Sequence, residues 1–165
     1  MRSLSVSSVL IAAALLGACG KASNTAPPLD APAAAEPVAA TPPSDAAKKA
    51  LLATLPAAYQ NADLDNGQAK VALCKSCHSL EKGGGAMVGP GLYGVFGRKA
   101  AADATFAYSD GLKALGVVWD ADKLNQWISK PSAMVAGTKM SYAGMDNPKD
   151  RIDLIAYLKV ATTAP

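Results

Sequence analysis

Histidine occurs once in this chain, at position 78, and cysteine three times, at 19, 74 and 77. A structural zinc site needs four ligands. With no second histidine and Cys19 as the sole further cysteine, the set near position 74 disfavours zinc. No apolar run reaches the ~20 residues that a membrane-spanning helix requires. Period-two alternation is missing around the cysteines, so the βαβ setting of a thioredoxin-like CxxC pair is missing too. Internal repeats are absent. Aromatic residues make up 5% of the chain, a small allotment for a core. The formal charge is +3, with no basic stripe or arm, and nothing points to nucleic acid.

What the chain does hold is Cys74-Lys75-Ser76-Cys77-His78. This spacing reads as a covalent haem attachment site. Two thiols three residues apart lie close together along one turn of helix. That placement suits thioethers to the two vinyl groups of one haem, and the same turn offers the imidazole to the iron. A chance five-residue match is the competing explanation, and the context below argues against it.

The N-terminus opens on Met1-Arg2, and residues 6–17 are nearly all apolar. The run is too short to span a membrane and reads as a signal-peptide core. It ends in Leu15-Leu16-Gly17-Ala18-Cys19, which resembles a bacterial lipobox whose cysteine is lipidated and becomes the mature N-terminus. The alternative is ordinary cleavage with Cys19 incidental. The expected order is therefore a lipoprotein signal peptide over 1–18, then Cys19 and an Ala/Pro-rich tether over 19–58, then one small domain over 59–165. Residues 20–45 lack aromatics and the apolar bulk that ordering requires. At Pro-rich stiffness they reach about 80 Å at full stretch. Residues 45–55 have room for a short helix before Pro56.

The domain reads as all-α. A helix is expected over 67–77, leading into the haem motif with Val71 turned to the core. Residues 83–97 contain seven glycines and cannot hold a helix. They can wrap closely around a flat cofactor, and Leu92, Val95 and Phe96 argue that they pack. Residues 109–115 read as a short helix stopped by Gly116. Asp120 caps another, with Leu124, Trp127 and Ile128 on one stripe and Pro131 ending it. Residues 131–144 are expected to be irregular. Asn147-Pro148 opens a last helix with Leu154, Tyr157 and Leu158 inward.

In order, CxxCH, Gly-Pro-Gly-Leu-Tyr-Gly-Val-Phe-Gly-Arg, Phe-Ala-Tyr-Ser-Asp, Trp, Gly-Thr-Lys-Met and Asp-Leu-Ile-Ala-Tyr-Leu resemble the mitochondrial and bacterial class I cytochromes c over about 65–160. The resemblance implies the class I cytochrome c fold, with N- and C-terminal helices crossing beside one haem c bound through Cys74 and Cys77. It implies His78 and Met140 as the axial ligands; Met134 and Met145 are the competing methionines. With one histidine, a bis-His haem is impossible within one chain. The resemblance further implies that Pro90 receives the His78 Nδ1–H. Arg98, Tyr108 and Trp119 would hydrogen-bond or balance the propionates, with Thr138 in the same role beside the ligand loop. Three positions depart from the common pattern. Trp127 replaces a tyrosine, Leu112 an asparagine, and Ala136 a proline, so the polar network behind Met140 should be smaller and drier and its loop looser.

These residues imply a one-electron carrier, not an enzyme: a monomer tethered on the periplasmic side of a bacterial membrane, or soluble in the periplasm if Cys19 carries no lipid. Its expected partners are a quinol–cytochrome c reductase and a terminal oxidase or other redox enzyme, met briefly. Lys75, Lys82, Lys130 and Lys139 are candidate docking residues for acidic partners. Two other readings compete: a haem enzyme or gas binder with a labile sixth ligand, and a fixed electron-input subunit of a larger oxidoreductase.

Overall fold

The computed structural model describes residues 42–163. The expected signal segment, Cys19 and the tether up to residue 41 lie outside the described residues. Among the described residues seven helices follow in order: α1 (Asp45–Ala53), α2 (Ala57–Gln60), α3 (Leu64–Lys75), α4 (Asp110–Ala114), α5 (Ala121–Ser129), α6 (Pro131–Met134) and α7 (Pro148–Ala161). Among the described residues the only extended pairing is an isolated antiparallel bridge between Lys99 and Val118. The architecture is all-α.

Local chemistry sets the helix ends. Asp63 caps α3 by accepting from the Asp65 and Asn66 amides at 3.1 and 3.0 Å. Asp120 caps α5 through the Lys123 amide at 2.7 Å, and Asn147 caps α7 through Lys149 at 2.9 Å. The cap at Asp63 starts α3 three residues before Gly67, where the glycine alone suggested a boundary. Pro131 both ends α5 and opens the single turn α6, because a first helical position needs no N–H. The 131–144 segment is therefore helical at its start and irregular only beyond it.

The crossing at the centre is between α3 and α7, which make the most extensive helix contact in the fold. Gly67 is the point of closest approach: a Cβ there would overlap the Asp153 carbonyl oxygen and come within 2.7 Å of Tyr157 Cβ. Val71 and Leu154 are each 1% exposed beside it. Helix α7 is buried nearly all round, through Leu154, Ile155, Ala156, Leu158 and Val160. Its other neighbours are α5, α1 and α2. Tyr157, expected on the inner stripe, is half-buried.

Helix α1 alters the expected domain boundary. Leu52 and Leu55 join the hydrophobic core, and Tyr59 donates its hydroxyl to Asp122 Oδ1 at 3.0 Å. Burial, then the Asp122 carboxylate, pushes the Tyr59 phenol up to about 12. The packed unit thus includes residues 45–58, which read as the end of a tether.

A polar cluster fastens the start of α3 to the first turns of α7. Asp153 is 1% exposed and accepts from the Asp63 amide (2.9 Å), Asn66 Nδ2 (2.8 Å) and Lys149 Nζ (2.6 Å). Asn66 also reaches Asp150, which pairs with Lys70 at 2.8 Å. Burial raises the Asp153 pKa, but the bonds from Lys149, Asn66 and the Asp63 amide outweigh it and hold the carboxyl below its ordinary range.

Two predictions follow from this crossing. Gly67→Ala gains helix propensity of about 1 kcal/mol, yet it should destabilise the protein by about 1–3 kcal/mol through overpacking; urea denaturation reads the sign directly. Asp153→Asn should cost about 1–3 kcal/mol at neutral pH, because it weakens acceptors for three donors. A depressed native pKa contributes stability above the unfolded value and loses it as pH falls through the native one. The gap between wild type and Asp153→Asn should therefore close on acidification below about pH 4, and parallel melts at neutral and acid pH test this.

Candidate functional site

Helix α3 ends at Lys75, and the chain continues in a tight turn, with the Cys77 and His78 amides both donating to the Cys74 carbonyl at 3.1 and 2.9 Å. This turn places Cys74, Cys77 and His78 on the wall of one cavity of about 350 Å³, a size within the ~300–1,000 Å³ of cofactor sites. Pro90, Arg98, Tyr108, Trp119, Trp127, Thr138 and Met140 line the same cavity. All ten residues expected at a cofactor site are thus brought together from five separate stretches of chain.

The His78 ring is fixed from two sides. Its Nδ1–H donates to the Pro90 carbonyl at 2.7 Å, since a carbonyl only accepts. That bond sets the tautomer and leaves Nε2 as the free lone pair. Gly89 lies flat against the ring: a Cβ there would come within 2.7 Å of Nδ1 and overlap Cε1. The Gly89 amide also bonds the Cys77 carbonyl at 2.9 Å, binding the glycine-rich segment onto the cysteine turn. Cys74 and Cys77 are the free thiols among the described residues. Burial, then the neighbouring Cys77, pushes the Cys74 thiol up.

On the remaining wall the methionines separate. Met140 lines the cavity, while Met134 and Met145 do not. Met145 is 9% exposed, and its amide bonds the Ile128 carbonyl, so it belongs to the core. The Met140 amide donates to Thr138 Oγ1 at 3.2 Å, placing that hydroxyl on the backbone of the loop that carries Met140. Lys139 Nζ donates to the Ala107 carbonyl at 2.7 Å and straps the loop to a distant segment. Arg151 Nη1 holds the loop's far end through the Met145 carbonyl at 2.6 Å. Ala136 is exposed, two residues before the first of these anchors.

The polar residues divide by role. Arg98 bonds the Gly91 and Tyr93 carbonyls at 2.7 and 3.3 Å, so its guanidinium knits the glycine-rich segment as well as facing the cavity. Burial pushes the Tyr108 phenol up, against the lowering effect of Arg98; it is a neutral hydroxyl at neutral pH. Trp119 and Trp127 pack at 5.7 Å between ring centres, and Leu112 and Ile128 share the lining with them. Sequence reading missed Tyr142, which also lines the cavity; burial, then Cys74, pushes its phenol up. The signal for it was available, as the one bulky aromatic in the irregular stretch after α6. Of the four candidate docking lysines, Lys139 lines the cavity, while Lys75, Lys82 and Lys130 are exposed and not among its lining; Lys99, which was not a candidate, lines it too.

Two thiols, one imidazole of fixed tautomer, one thioether, a cationic guanidinium and a largely apolar lining make a donor set that fits a haem: sulfur for covalent attachment, nitrogen and sulfur for iron, positive charge for propionates. No family model matches the chain. Among known proteins, the chain is 44% identical over 105 residues to a "cytochrome c homolog" of Rickettsia conorii, covering 64% of this chain and 60% of that relative. It spans about 60% of the length of the Rickettsia relatives that it matches. It is 43% identical over 89 residues to cytochrome c of Gibberella zeae, 54% of this chain and 84% of that one. Against cytochrome c of Arabidopsis thaliana the values are 42% over 89 residues, 54% and 80%. With four-fifths of a plant or fungal cytochrome c matched at this identity, and a cavity whose donors suit its prosthetic group, the chain belongs to the cytochrome c family and its cofactor is a covalently attached haem c.

Proposed function

We propose that the protein is a one-electron carrier, with its haem attached through Cys74 and Cys77 and ligated by His78 and Met140. The observation that carries this reading is that a histidine and a methionine, and no other methionine or histidine among the described residues, line one cavity. The haem supplies the chemistry, its iron exchanging a single electron between ferric and ferrous states. The protein's part is to hold it still. Pro90 keeps the His78 Nε2 lone pair aimed at the cavity, and Thr138, Lys139 and Arg151 restrain the loop that carries Met140. His78 and Met140 would together hold the iron of a bound haem and leave it no position for a substrate, which supports a carrier over an enzyme. Soft thioether ligation favours the reduced state relative to two nitrogens. The apolar lining around Trp127 and Leu112 does the same, because burial disfavours the more charged ferric form.

The wider setting is also part of the proposal. The carrier works in a bacterial respiratory or photosynthetic chain, on the periplasmic side of a membrane. It meets a quinol–cytochrome c reductase and a terminal oxidase in brief encounters. A lipid on Cys19 and the Ala/Pro-rich segment after it would keep the haem domain within reach of both, and the lipobox-like Leu15-Leu16-Gly17-Ala18-Cys19 supports this.

Two measurements test these readings. The visible spectrum of the reduced protein should ignore carbon monoxide, whereas Met140→Ala should bind it; a wild type that binds carbon monoxide readily at neutral pH would place the protein with gas binders or enzymes. Mass spectrometry of the mature N-terminal peptide should find a diacylglycerol-bearing Cys19; an unmodified peptide, or one beginning past Cys19, would make the protein a soluble periplasmic carrier.

A further inference from the structure

The described lining of the haem cavity carries three cationic side chains, Arg98, Lys99 and Lys139, and no carboxylate. A haem brings two carboxylates with it, so this imbalance suits the group. The three cations are not equivalent. Arg98 already donates through Nη1 and Nη2 to the Tyr93 and Gly91 carbonyls. Lys139 Nζ is tied to the Ala107 carbonyl at 2.7 Å. Lys99 alone makes no side-chain hydrogen bond or ion pair with a described residue, and its ammonium has three donors to give. The backbone at Lys99 is irregular. Lys99 pairs with Val118 in the isolated antiparallel bridge. In a continued strand its neighbour Arg98 would point to the opposite face. The chain instead leaves the bridge at once, in a turn closed by the Ala102 amide on the Lys99 carbonyl at 3.2 Å. The third residue of that turn, Ala101, has φ 57° and is the one non-glycine with positive φ among the described residues. That conformation favours glycine or asparagine. An alanine held there is strained, and such strain gathers where function asks for a particular geometry. Ala101 lines the cavity as well.

We infer that the Lys99 ammonium pairs with a haem propionate and thereby holds the reduction potential of the haem up. The inference rests on the haem and on no partner of the carrier. A positive charge beside a propionate offsets the negative charge that favours ferric iron, so the ferrous state gains. Lys99 acts through the propionate and touches neither the iron nor an axial ligand, which makes it a positioning residue. Exposed ion pairs contribute little to folding, so its effect belongs to the potential and not to the melting temperature. Arginine keeps the charge on a long side chain and should stand in for the lysine.

The test compares the haem-loaded full chain with Lys99→Gln, Lys99→Arg and Lys130→Gln, the last an exposed lysine outside the cavity lining. Spectroelectrochemistry should find that Lys99→Gln shifts the ferrous-to-ferric ratio at fixed potential about threefold towards ferric, a fall of about 28 mV at about 59 mV per tenfold for one electron. Lys99→Arg should stay near wild type, and Lys130→Gln should move the ratio far less. Visible spectra and melting temperatures should coincide throughout; a change in either that accompanies the shift overturns the proposal in favour of a structural role. A water-soluble carbodiimide tests the contact itself. It activates a carboxylate, an amine touching that carboxylate displaces the urea, and an amide remains. Digestion and mass spectrometry of wild type should find the Lys99 peptide joined to the haem peptide that holds Cys74 and Cys77, and Lys99→Gln should lack that product. A haem joined to Lys139 instead, no joined product, or a Lys99→Gln potential equal to that of Lys130→Gln overturns the proposal.

Discussion

Helix α3 answers to two demands that meet within a dozen residues. At Gly67 it must lie so close to α7 that no side chain fits between them, and at Cys74 it must deliver two thiols and an imidazole to a cavity. A helix is stiff over this length, so the position of one end sets the other. The crossing is therefore what aims the haem-binding turn. The Asp153 cluster holds the start of α3 by its cap and its Asn66 amide, and Val71 against Leu154 holds its middle.

From that turn the cavity is closed by segments with little regular structure. Their rigidity comes from backbone groups bonded across the site rather than along helices. Gly89 to Cys77, Leu92 to Ser79, Gly97 to Trp119, and Arg98 to two carbonyls form a lattice around the histidine side. The methionine side adds side chains to its own backbone bonds: Thr138, Lys139 and Arg151 each hold the loop through a backbone group, beside the Thr138–Val135 and Met145–Ile128 amide–carbonyl bonds. These contacts anchor the loop with an alanine at position 136. The restraint that a fixed φ would supply is shared among contacts at either end of it.

The sequence made legible those features whose chemistry demands particular residues. Thioether formation needs two cysteines at helical spacing, a rigid imidazole needs an acceptor such as the Pro90 carbonyl, and a capped, striped helix such as α5 announces itself by Asp120 and Trp127. What stayed hidden depended on distant partners. Leu52 and Leu55 stand in an alanine-rich stretch beside Pro56 and resemble a tether until α7 is in place to receive them. Asp153 looks like a surface acid on an amphipathic helix, and only the near-complete burial of α7 turns it into the anchor of α3. Gly67 read only as the start of a helix, whereas its missing side chain is the condition for the crossing. Tyr142 carried no motif of its own.

Charge and apolar surface bear differently on a carrier of this kind. A partner drawn by lysines is captured at a distance and released as salt rises; a partner met through leucine, methionine and valine must first arrive by diffusion. Confinement by an N-terminal lipid would change that balance, since a carrier held beside its partners needs little help to find them. The longer the Ala/Pro-rich segment between such a lipid and the folded unit, the wider the volume that the haem would sweep and the lower its effective concentration at any one partner.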